Sequence, residues 1–207
     1  GRGGKPGVFR NDRQGGFIPQ RANVFAGASD RDLTTILGWR PNATNLVLLL
    51  GLDNYENPAT KAPSVRSMSL LTGQVNEDLL HSPASTGPLV MADIDGDGDL
   101  DLFIGSRVVA GRYPEPASSA LLRNQAGRWE VDANAGQVLA NIGLVNAAVF
   151  TDLDGDGRPE LVLACEWGPI RVLRNRAGKF APWNAPLQWA GGKATTRPDS
   201  LDDLTGW

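Results

Sequence analysis

Two short stretches concentrate the groups that could do chemistry. The first reads Asp93-Ile-Asp95-Gly-Asp97-Gly-Asp99-Leu-Asp101, and the second Asp152-Leu-Asp154-Gly-Asp156-Gly-Arg158-Pro-Glu160. Nine of the 23 acidic residues fall there, five in one stretch and four in the other. Carboxylates crowded this closely repel one another unless a cation sits among them. Calcium takes six to eight hard oxygen ligands and tolerates irregular geometry, whereas magnesium keeps its waters and seldom uses an all-protein cage. Acids at positions 1, 3 and 5, separated by glycines that reach positive φ without strain, can wrap a loop round one point. Position 7 differs between the copies, Asp99 in one and Arg158 in the other, so only its backbone carbonyl is a common donor. Position 9 is acidic in both, Asp101 and Glu160. The expectation is two calcium sites, with Asp93, Asp95, Asp97, Asp99 and Asp101 at the first, and Asp152, Asp154, Asp156, Arg158 (through its carbonyl) and Glu160 at the second. An EF-hand is excluded, because position 12 holds Ile104 and Leu163 where a bidentate glutamate is required.

The elements around the loops read as strands. Leu89–Ala92 and Ala147–Thr151 precede them, and the apolar runs Leu102–Gly105 and Leu161–Cys165 follow, so each ninth position opens a second strand. Apolar side chains on both faces suit a strand buried between stacked sheets. Further on, Leu121-Leu-Arg-Asn-Gln-Ala-Gly-Arg-Trp129 matches Val172-Leu-Arg-Asn-Arg-Ala-Gly-Lys-Phe180 at a spacing of 51, and Val8–Phe17 is a third copy with one residue inserted. Each reads as a hairpin. The unit is strand, acidic loop, strand, strand, turn, strand, and four strands recurring every 50 to 60 residues are the signature of β-propeller blades. The predicted fold is therefore all-β, a single segment of four-stranded antiparallel propeller blades. Its parts are the tail of an earlier blade at 1–20, a degenerate blade at 33–80, blades with calcium loops at 88–132 and 145–185, and a lead into the next blade at 186–207. In the degenerate blade Trp39–Asn45 takes the place of the acidic loop, and no ion is expected there. About three blades cannot close a ring, so the segment is expected to be an incomplete arc whose remaining blades lie elsewhere in a longer protein.

Composition narrows the functional classes. The chain has 207 residues with a formal charge of −3, which argues against nucleic-acid binding through bulk charge. One cysteine, Cys165, rules out an internal disulfide framework and a cysteine-based zinc site. One histidine, His81, rules out multi-histidine metal centres. The apolar run Leu46–Leu52 is far short of the ~20 residues that cross a bilayer. No nucleophile elbow, Walker loop or dinucleotide fingerprint occurs. The connection Gly105–Ser118, carrying Arg107, Arg112, Tyr113 and Glu115, reads as an exposed loop of the kind that serves recognition. The pair Glu130/Asp132 is a weak candidate for glycosidase carboxylates.

With the acidic loops and the Arg-Asn hairpins together, the chain resembles the FG-GAP/VCBS repeat family, and most of all the bacterial VCBS proteins that often carry an ASPIC/UnbV domain. The resemblance is good over residues 88–182 and weak over 33–80; the literal Phe-Gly and Gly-Ala-Pro signatures are absent. It implies a non-catalytic, calcium-bound scaffold that is extracellular, cell-surface or periplasmic and serves adhesion or recognition of a protein or carbohydrate ligand. The competing expectation is part of a carbohydrate-active propeller enzyme whose catalytic residues lie mainly outside this segment.

Overall fold

The computed structural model describes residues 7–20, 31–56 and 62–184. Three four-stranded antiparallel sheets carry most of the fold, each a meander in which consecutive strands neighbour one another. The first sheet contains β3 (Leu33–Trp39), β4 (Val47–Leu52), β6 (Val65–Ser69) and β7 (Val75–Asn76). The second contains β9 (Ala84–Ala92), β10 (Asp101–Val109), β11 (Ala120–Gln125) and β12 (Arg128–Val131). The third contains β13 (Leu144–Thr151), β14 (Glu160–Glu166), β15 (Arg171–Arg176) and β16 (Lys179–Pro182). Two small pairs complete the described residues: the hairpin β1 (Val8–Asn11) with β2 (Phe17–Gln20), and β5 (Ala62–Pro63) with β8 (His81–Ser82). The all-β expectation and the strand order of the repeat unit match this arrangement. The predicted lead into a further blade at 186–207 lies outside the described residues.

The sheets stack face to face, and β10 shows how. Leu102 and Ile104 face a core that holds Leu49 and Val65 of the first sheet. Phe103, between them, faces a core that holds Leu161, Leu163 and Leu173 of the third. The period-2 alternation of a strand thus serves two cores, which is why both faces of the run are apolar. The first strands β3, β9 and β13 are each an edge of their own sheet and lie against one another. Gly87 permits this approach: a Cβ there would stand 2.4 Å from the Val145 carbonyl oxygen of β13. Adjacent sheets therefore meet backbone to backbone at their first strands.

Three local features depart from the sequence reading. Strand β10 continues through Gly105 to Val109, so the expected loop at 105–118 begins only after it. Gly105 is a mid-strand glycine because the Pro88 ring packs against it; a Cβ would lie 2.8 Å from that ring. Strands β9 and β13 both begin several residues before the predicted Leu89 and Ala147. A short helix, α1 (Ala133–Leu139), joins the second and third sheets and buries Ala135 and Leu139 in the core between them. Its N-cap is Asp132, whose carboxylate accepts the backbone N–H groups of Asn134 and Ala135.

Candidate metal centres

Each acidic loop joins the first and second strands of its sheet, and the two are built alike. Asp93 accepts the N–H groups of Gly96 (2.7 Å) and Gly98 (2.9 Å) on its two carboxylate oxygens. Asp152 does the same for Gly155 (2.8 Å) and Gly157 (2.9 Å). Both glycine pairs have φ between 78° and 93°, which an L-residue adopts only with strain, so the loop can curl round its first aspartate. Position 3 accepts the N–H of position 5 in both loops, and position 5 that of position 7. The seven residues 93–99, and likewise 152–158, are thereby folded into a compact turn.

Position 9 is different in kind. Asp101 and Glu160 open β10 and β14 and are fully buried. Asp101 accepts the N–H of Ile94 in its loop (3.3 Å) and of Asn124 in β11 (2.9 Å). Glu160 accepts the equivalent N–H groups of Leu153 (2.9 Å) and Asn175 (3.3 Å). These carboxylates tie the loop to the third strand. Burial pushes the Asp101 carboxyl above the usual carboxylate range, opposed by its two backbone donors and by Arg123.

The Arg-Asn pairs of the repeated hairpins complete the arrangement. Arg123 donates to Asp95 (3.0 Å), and Arg174 donates to Asp154, so each position-3 aspartate is gripped by an arginine of the third strand. Asn124 and Asn175 give their N–H to the buried position-9 acids, and their side-chain oxygens accept the N–H of Gly127 and Gly178 across the hairpin turn (2.8 Å each). Asp99 accepts the N–H of Ala126 (2.8 Å), bracing the same turn. Sequence reasoning set these arginines and asparagines down as hairpin residues only. The recurrence of Arg-Asn in register with the acidic loops was the signal that they belong to the site.

The first centre also reaches into the next sheet. Arg123 donates to the Gly178 carbonyl oxygen, and the Asn175 amide donates to that of Ile94 (2.8 Å). The turn of the third sheet thus closes over the acidic loop of the second.

Two groups of carboxylates are placed where one ion could touch all members. Asp93, Asp95 and Asp101 bring oxygens within 4.8 Å of one another, as do Asp152, Asp154 and Asp156. Of the residues predicted for the first site, Asp97 and Asp99 lie outside this grouping; at the second, Arg158 and Glu160 do. An all-oxygen, anionic donor set of this kind fits a hard cation and does not fit a soft one. Arg123 at the first loop, and Arg174 with the loop's own Arg158 (4.0 Å from Asp156) at the second, offset only part of the negative charge. Glu130 and Asp132 do not form a catalytic pair: Asp132 caps α1 and pairs with Arg123 (2.9 Å), and Glu130 pairs with Arg128 at the surface.

Among the described residues, no helix is long and apolar enough to cross a membrane. Comparison with protein-family models and with curated proteins gives no match.

Proposed function

We propose that the chain is a calcium-stabilised arc of β-propeller blades of the FG-GAP/VCBS kind, a non-catalytic recognition module that works outside the cytoplasm. The observation that carries this reading is the duplicated centre. Two acidic loops, 59 residues apart, have the same hydrogen-bond pattern and stand at the same point of two four-stranded sheets. The contact between the first strands of neighbouring sheets supports a radial stacking of blades. Calcium in each loop would cancel the carboxylate repulsion and pin the first two strands to the third. Sites of this extracellular class bind at ~0.1–1 mM, which matches calcium outside cells and exceeds its free level within them. Free calcium at ten times such a constant adds about 1.4 kcal/mol per site.

Thermal unfolding in excess EGTA, then in calcium, with magnesium as control, tests the proposal. A rise in melting temperature specific to calcium, abolished in the double variant Asp95→Ala/Asp154→Ala, is the expected outcome. A melting curve indifferent to calcium would overturn it, and the extracellular placement with it.

A further inference from the structure

The ends of the sheets opposite the acidic loops carry a second constellation that the calcium centres do not use. Asp53 follows β4, Ser85 opens β9, Arg107 lies near the end of β10 and Glu166 ends β14. With Tyr55 and Tyr113 they line a cleft of about 360 Å³. Two further depressions adjoin it. One of about 390 Å³ shares Thr34 and Arg107 with the cleft, and one of about 150 Å³ shares Glu166 and continues to Trp167 and Arg171. Together they make an elongated groove across all three sheets.

The groove is preorganised. Asn54 is fully buried, and its amide donates to the Ser82 and Ala84 carbonyl oxygens, fixing the chain beside Asp53. One Asp53 oxygen accepts the Ser85 hydroxyl and the Tyr55 N–H; the other has no partner among the described residues. Glu166 likewise uses one oxygen to accept the Tyr113 hydroxyl (2.7 Å) and leaves the other open. The Trp167 indole N–H donates to the same Tyr113 hydroxyl, which holds both rings at the rim. Arg107 is exposed and has no hydrogen-bond or ion-pair partner among the described residues.

Trp167 is the least expected member. It is 67% exposed and sits at φ +57°, a conformation that costs a non-glycine residue about 1 kcal/mol or more. Its indole N–H is tied to Tyr113, while the ring face is left in water, where a ligand can reach it. The same φ recurs at the hairpin-turn residues Ala126 and Ala177, so the turn accounts for the backbone and the exposed ring is the feature that points to a ligand.

We infer that this groove binds a neutral oligosaccharide. Vicinal hydroxyls both donate and accept, which matches an uncommitted guanidinium flanked by two half-used carboxylates. The apolar faces of sugar rings match exposed Tyr and Trp rings, which give area at one end and a polar handle at the other. Two carboxylates beside one guanidinium disfavour an anionic ligand, and among the described residues the lining mixes polar and apolar groups where a peptide anchor needs a deep apolar pocket. The inference gives a ligand to the recognition role proposed above and rests on that part of it; it does not depend on the calcium centres.

Isothermal titration of the 207-residue chain with the hexaoses of glucose, xylose, mannose and N-acetylglucosamine tests it. At least one should bind with Kd on the order of 0.1 mM. Trp167→Ala and Arg107→Ala should each weaken that binding about tenfold or more, with unchanged melting temperature, while Leu71→Ala on a distant turn should not. Absence of binding to every hexaose, or equal affinity in the groove variants, would overturn the inference. The two readings separate cleanly: sugar binding without a calcium-dependent melting rise sinks only the calcium reading. A melting rise without sugar binding sinks only this one.

Discussion

At the scale of single residues, the buried acids at position 9 do the most for the fold. Removing a carboxylate that satisfies two backbone donors leaves those donors buried and unpaired, at about 1–3 kcal/mol. Glu160→Ala should therefore lower the unfolding free energy by about 2–4 kcal/mol once the lost packing is added, read from urea denaturation at fixed calcium. The hairpin turns offer a change of opposite sign. Ala126-Gly127 and Ala177-Gly178 are two-residue turns with positive φ at both positions, the geometry that prefers Asn-Gly. Ala126→Asn and Ala177→Asn should each stabilise by about 0.5–1 kcal/mol in the same assay. Cys165 supplies a pH dependence. Burial raises its thiol above the usual value, with Arg171 opposing. A raised folded value means stability that is full below the unfolded pKa and lost as pH rises through the folded one. Unfolding free energy should then fall as pH climbs above about 9, and Cys165→Ser should remove that slope.

At the scale of elements, the acidic loops and hairpins were legible because repetition exposes which positions are constrained. The substitution of Arg158 for Asp99 showed that position 7 need not be acidic, and the two side chains do different work: Asp99 accepts the Ala126 N–H, and Arg158 stands 4.0 Å from Asp156. What the repeat could not show was reach. Arg123 touches Asp95, Asp132 and the Gly178 carbonyl, so it binds its own loop, the cap of α1 and the next sheet. Arg174 stands in the same motif but, among the described residues, meets only Asp154 and the face of Trp183. Arg123→Ala should cost about 1–3 kcal/mol, because its side chain is only 17% exposed and leaves partners unpaired. Arg174→Ala, at a more open pair, should cost about 1 kcal/mol or less. Helix α1 was missed for a physical reason: seven residues including Gly136 give too few periodic apolar positions to register as a helix. The continuation of β10 was missed because Gly105 reads as a strand end until Pro88 is seen packed on it.

At the scale of the whole molecule, the sheets are held by two layers of apolar contact and by the close approach of their first strands. That approach depends on Gly87 having no side chain. Gly87→Ala should push β9 and β13 apart and destabilise by about 1–3 kcal/mol, visible as a lowered melting temperature with or without calcium. The groove opposite the acidic loops was invisible in the sequence for a related reason. Its members come from equivalent ends of strands in three different repeats, and only stacking brings Asp53, Arg107 and Glu166 together.

The overlap between repeats has a direction. The turn at Asn175–Gly178 closes over the acidic loop of the sheet before it, so the third sheet completes the second. In an array with nearest-neighbour coupling, such a contact makes the stability of each sheet depend on the other. A lesion in the Asn175–Gly178 hairpin would loosen the acidic loop of the second sheet together with that of its own. Synthesis from the N-terminus would leave the acidic loop of the second sheet without these contacts until about seventy-five residues beyond Asp101 had been made. The second sheet is in this sense finished one repeat behind the growing end of its own chain.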